Sequence, residues 1–86
     1  MRRDIEWKEK LPDGAQRMIR VRFPGRGRIC WQFKRSDEPG WDYDTPPSVA
    51  DWDTLEEKIN ILYHRRRCAF KEVENVRTAR QTALRR

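Results

Sequence analysis

The sequence predicts an α+β fold: a three-stranded antiparallel β-meander followed by a long C-terminal helix, either continuous or else kinked or split near 64–67, packed on one sheet face. Three observations predict it. Apolar residues alternate with polar ones in three runs between Ile5 and Lys34, and turn residues separate those runs. After Pro47 neither Gly nor Pro recurs, while apolar residues return at three-four spacing. Eighty-six residues leave room for one core. The chain therefore reads as a single small domain over 1–86, with a basic meander (1–36), an acidic loop (37–50) and a helical region (51–84).

In the first run Ile5, Trp7, Glu9 and Leu11 alternate with Glu6, Lys8 and Lys10, the period of a half-buried strand. Pro12-Asp13-Gly14 then supplies a turn, because Pro fixes φ and Gly accepts positive φ. In the second run Ile19, Val21 and Phe23 share one face. Pro24-Gly25-Arg26-Gly27 makes the next turn, and Ile29, Trp31 and Phe33 align in the third run. Short turns between such runs give an antiparallel sheet with one apolar and one wet face.

Residues 36–50 carry the breakers Pro39-Gly40 and Pro46-Pro47, with Trp41 and Tyr43 between them. They read as a loop whose two rings fold over an edge of the core. Ser48 or Asp51 is placed to cap a helix, and Asp51, Asp53, Glu56 and Glu57 suit the positive end of its dipole. Trp52, Leu55, Ile59 and Leu62 form the apolar stripe, and the same spacing continues through Arg66, Ala69, Val73, Val76, Arg80 and Ala83, a seam interrupted by the two arginines. The expected core is Trp7, Ile19, Val21, Phe23, Ile29, Trp31, Phe33, Trp52, Leu55, Ile59 and Leu62.

One helix over 51–84 would be about 50 Å long, whereas a seven-residue strand covers about 23 Å. The sheet can thus bury only its first half. Either the chain bends near His64-Arg65-Arg66-Arg67 and packs a second helix on the domain, or the helix runs on and offers Phe70, Val73, Val76 and Leu84 to another chain. A tight helical hairpin usually contains Gly or another turn residue, and its absence here favours the continuous or gently kinked helix.

The net charge of +6 is distributed in blocks. Residues 1–36 hold eleven Lys/Arg against four Asp/Glu, residues 37–57 hold eight Asp/Glu and no Lys/Arg, and residues 58–86 hold nine Lys/Arg against two Glu. Strand alternation turns Arg20, Arg22, Arg28, Cys30, Gln32 and Lys34 away from the core, with Arg26 in the turn between them. Cations crowded on adjacent strands repel one another. Nucleic-acid phosphate relieves that repulsion with release of counterions; solvent or the acidic segment 37–57 can also do so. Arg77 and Arg80, three apart on a helix, can share a phosphate backbone or an acidic partner.

Other chemistries find little support. Cys30 and Cys68 are far apart and His64 is the lone histidine, so neither a disulfide scaffold nor a zinc site is expected. Asp42, Asp44, Asp51 and Asp53 lack the glycine-centred frame of a calcium loop. No nucleophile stands beside His64, so no catalysis and no cofactor are expected. No apolar run approaches membrane-spanning length, and reduced thiols fit a cytoplasmic protein. The expectation is a small non-catalytic module that binds DNA or RNA phosphates through Arg20, Arg22, Arg26, Arg28 and Lys34. The alternative is a protein-interaction or self-assembly module, such as a homodimer, that pairs through Phe70, Val73, Val76 and Leu84.

Overall fold

The computed structural model describes residues 4–25 and 27–85. Strands β1 (Ile5–Lys10), β2 (Gln16–Gly25) and β3 (Arg28–Arg35) form one antiparallel sheet in the order β1-β2-β3. Helices α1 (Val49–His64) and α2 (Phe70–Leu84) follow, giving the expected α+β class with two helices in place of one.

The register fixes the faces. Ile5 pairs with Val21 and Val21 with Trp31; Trp7 pairs with Ile19 and Ile19 with Phe33. These residues turn inward and meet Trp52, Leu55 and Ile59 of α1. Trp31 is the hub, 5.0 Å from Trp52 and 6.1 Å from Trp7 in edge-on contacts and 6.0 Å from Phe33 in a stacked one. Aromatic pairs at these distances add to the area they bury, which is how a chain of 36% hydrophobic content assembles a core. Trp7, Ile29 and Leu62 are only partly buried at its margin, while Ile5, Val73 and Val76 join the buried set.

The register slips between Arg22 and Gly25, an irregularity that accommodates Pro24 in the strand. Gly27 takes φ 73° in the turn that follows, and a Cβ there would lie 3.6 Å from Asn75 of α2.

Ser48 is the N-cap of α1. Its hydroxyl accepts from the Asp51 N–H, and the Asp51 carboxylate accepts from the Ser48 N–H, which closes a capping box.

The C-terminus of α1 corrects the continuous-helix expectation. The Arg67 N–H donates to the Leu62 carbonyl at 2.8 Å and the Arg66 N–H to the Tyr63 carbonyl at 2.9 Å, with Arg66 at φ 58°. This is a Schellman cap, in which a left-handed residue stops the helix and satisfies its last carbonyls. Glycine usually occupies that position, but here an arginine does. The chain then reverses, and α2 lies antiparallel to α1. Arg77 bonds Glu56, and Arg80 bonds Asp53 at 2.6 Å with Glu56 at 3.8 Å. Val73 and Val76 are fully buried beneath these pairs. Among the described residues no helix is long and apolar enough to cross a membrane.

Candidate nucleic-acid interface

The sheet face opposite the helices carries the outward side chains in cross-strand rows. Glu6, Arg20 and Gln32 make one row, Lys8, Met18 and Lys34 the next, and Lys10 with Gln16 a third; Arg22 lies opposite Cys30. Alternation thus places Arg20, Arg22 and Lys34 outward as expected, and Arg28 is exposed beside them. Arg26 lies outside the described residues.

Two of the expected cations are already engaged. The Arg20 guanidinium donates to Glu6 at 3.1 Å and to Gln32 at 3.3 Å, and its carbon lies 4.2 Å from the centre of the Trp41 ring. Arg22 stands 3.5 Å from Asp4, a looser pair with more than half of its side chain exposed. Both carboxylates come from β1 and its leading residue, whereas the sequence pointed to 37–57 as the source of compensation. Arg20 is consequently a bonded part of the sheet surface and poorly placed to exchange its partners for phosphate.

Lys8, Lys10, Arg28 and Lys34 have no carboxylate partner among the described residues. Lys34 donates only to the carbonyl of its neighbour Arg35. Lys8 and Lys10 are additions to the expected set, and the alternation of Glu6, Lys8 and Lys10 along β1 contains the signal for them.

Half of the acidic block, four of the eight carboxylates of residues 37–57, is taken up in ion pairs within the fold. Asp51 holds Arg17, Asp53 and Glu56 hold Arg77 and Arg80, and Asp37 joins Asp13 on Arg35. Asp13 and Asp37 sit below the ordinary carboxylate range because each accepts hydrogen bonds from Arg35. Asp42 is lowered by hydrogen bonds from Thr45 and the backbone of Asp44. The basic–acidic–basic order of the sequence thus encodes, in part, contacts of one chain with itself. Among the described residues the cations without a carboxylate partner include Lys8, Lys10, Arg28 and Lys34 on the outward face, Arg65, Arg66 and Arg67 at the α1–α2 corner, and Lys58, Lys71 and Arg85 elsewhere.

Trp41 was not expected on this surface. Asp42 exchanges backbone hydrogen bonds with Phe33 at 2.9 and 2.6 Å, which lays the loop along the edge of β3 and swings Trp41 across the outward face. Tyr43 stays exposed, so neither ring covers a core edge.

The residues expected to bind a partner chain divide. Val73 and Val76 lie in the core, Leu84 packs against it, and Phe70 is 47% exposed. The distal helix therefore has no continuous apolar face to offer.

Among the described residues no group of three or more His, Cys, Asp and Glu side chains is arranged to hold a metal ion. Burial raises the Cys68 thiol above its ordinary value and nearby Glu72 adds to the effect, so it is protonated at neutral pH. No protein-family model matches the chain, and no curated protein or solved structure matches it either.

Proposed function

We propose that this protein is a small, non-catalytic nucleic-acid-binding module that contacts phosphates through the outward face of its sheet. The observation that supports this reading is the division of the cations. Arg17, Arg20, Arg22, Arg35, Arg77 and Arg80 each have a carboxylate partner. Among the described residues Lys8, Lys10, Arg28 and Lys34 have none, and they share one face.

Lysines in rows free of carboxylates repel each other and attract polyanions, and binding there releases counterions. Arg20 and Arg22 take lesser parts than the sequence alone assigns them, Arg20 by fixing Glu6, Gln32 and Trp41. Salt-dependent titration of labelled DNA and RNA tests the reading. Affinity should fall steeply with salt, and Lys8→Glu with Lys34→Glu should remove most of it. A chain that binds neither nucleic acid at low salt does not have this function.

A further inference from the structure

The corner between α1 and α2 carries a second cluster that the sheet face does not use. Arg65, Arg66 and Arg67 occupy the turn consecutively, all exposed. None makes an ion pair among the described residues. The C-terminal end of α1 favours these cations, but the N-terminal end of α2 opposes them, so the two dipoles largely cancel. Arg66 moreover sits at φ 58°, a conformation that suits glycine better than arginine.

Exposed rings adjoin the arginines. Tyr63 lies 5.4 Å from Phe70 and 5.6 Å from His64, and Tyr63 and Phe70 are 37% and 47% exposed. Arg67 lines the same small cavity as Ile5, Phe23 and Cys68. The corner therefore lies at the end of the sheet where β1 begins and β2 ends.

We propose that this corner is a second contact site that takes single-stranded nucleic acid, with unpaired bases stacked on Tyr63 and Phe70 and adjoining phosphates held by Arg65, Arg66 and Arg67. Exposed rings offer a face to any unpaired base, and guanidinium groups bind the flanking phosphates. A base-paired duplex shows its bases only edge-on and cannot use the rings. This site goes beyond the sheet-face reading and stands without it.

Fluorescence anisotropy with a labelled single strand of about 12 nucleotides and a duplex of the same composition tests the proposal. The single strand should bind more tightly. Tyr63→Ala with Phe70→Ala should weaken it by about tenfold or more, with the salt slope unchanged. Arg65→Ala, Arg66→Gly and Arg67→Ala together should lower the slope by about 2. Thermal melts establish that each variant is folded, and Phe70→Ala alone with Arg66→Gly alone repeats the test on milder changes. Single-strand binding unchanged in all of these variants overturns the proposal. So does tighter, ring-dependent binding to phosphatidylserine vesicles, which assigns the corner to lipid. If Lys8→Glu with Lys34→Glu loses binding while the corner variants keep it, the corner proposal fails and the sheet reading survives; the reverse pattern rejects the sheet and upholds the corner.

Discussion

Arg17 on β2 and Asp51 in the first turn of α1 form a two-pronged ion pair, with both guanidinium nitrogens within 2.9 Å of the carboxylate oxygens. Asp51 is 1% exposed, and Arg17 is held from its other sides by Glu9 and by the face of Phe33. The pair fixes the start of α1 to the sheet and at the same time orients the capping box.

Removing the carboxylate leaves Arg17 with Glu9 as its remaining carboxylate partner among the described residues and breaks the Asp51 half of the capping box. Asp51→Ala should cost about 3 kcal/mol in urea denaturation, while an unchanged midpoint would show that the pair is incidental. Burial alone raises the Asp51 carboxyl, but hydrogen bonds from Arg17 and Ser48 outweigh it and leave it below its ordinary value. Its contribution to stability is therefore full above the unfolded value of about 3.9 and is lost as pH falls through the lower folded value. The stability gap between parent and Asp51→Asn should stay constant at neutral pH and close below about pH 4.

Arg66 supplies the left-handed residue of the α1 cap. Arg66→Gly relieves that conformation but adds freedom to the unfolded chain, so the expected net gain is about 0.5 to 1 kcal/mol. Differential scanning calorimetry should show a higher Tm; a lower one would mean that the guanidinium stabilises the corner by contacts of its own.

Val76 belongs to the core of its own chain. Val76→Ala should cost about 2 kcal/mol, and the midpoints of parent and variant should be the same at low and high protein concentration. A midpoint that rises with concentration would point instead to an apolar face shared between chains.

Arg20 and the lysines beside it should separate in binding assays. Arg20→Ala loses contacts within the sheet surface, and affinity for nucleic acid should change by less than about fivefold. Lys8→Glu with Lys34→Glu should cut it by about 100-fold at 0.1 M salt. Equal losses would return Arg20 to the phosphate-binding set.

The sheet was legible because alternation in three runs leaves little choice of register. Ile19, Val21, Trp31 and Phe33 fall inward wherever the strand ends are drawn. The helical hairpin was legible only as the less favoured of two alternatives, since the stop rests on Arg66 in a conformation its side chain gives no sign of adopting. The burial of Val73 and Val76 followed from that stop. At the candidate site, alternation placed Arg20 and Arg22 on the right face. Their carboxylates depend on cross-strand neighbours, Glu6 directly opposite Arg20 and Asp4 near Arg22, which register alone supplies. Trp41 reaches the outward face through the pairing of Phe33 with Asp42; the alternation of Trp41 and Tyr43 suits a short extended piece there but does not name its partner strand.

The most direct test of the nucleic-acid reading is the slope of log affinity against log salt for labelled DNA and RNA, measured on the parent and on Lys8→Glu with Lys34→Glu. Three to five phosphate contacts predict a slope of about −3 to −4.5 for the parent on duplex DNA, with about 2 of that lost in the variant. Binding that ignores salt, or a variant that keeps the parent's slope, would contradict phosphate recognition by the sheet.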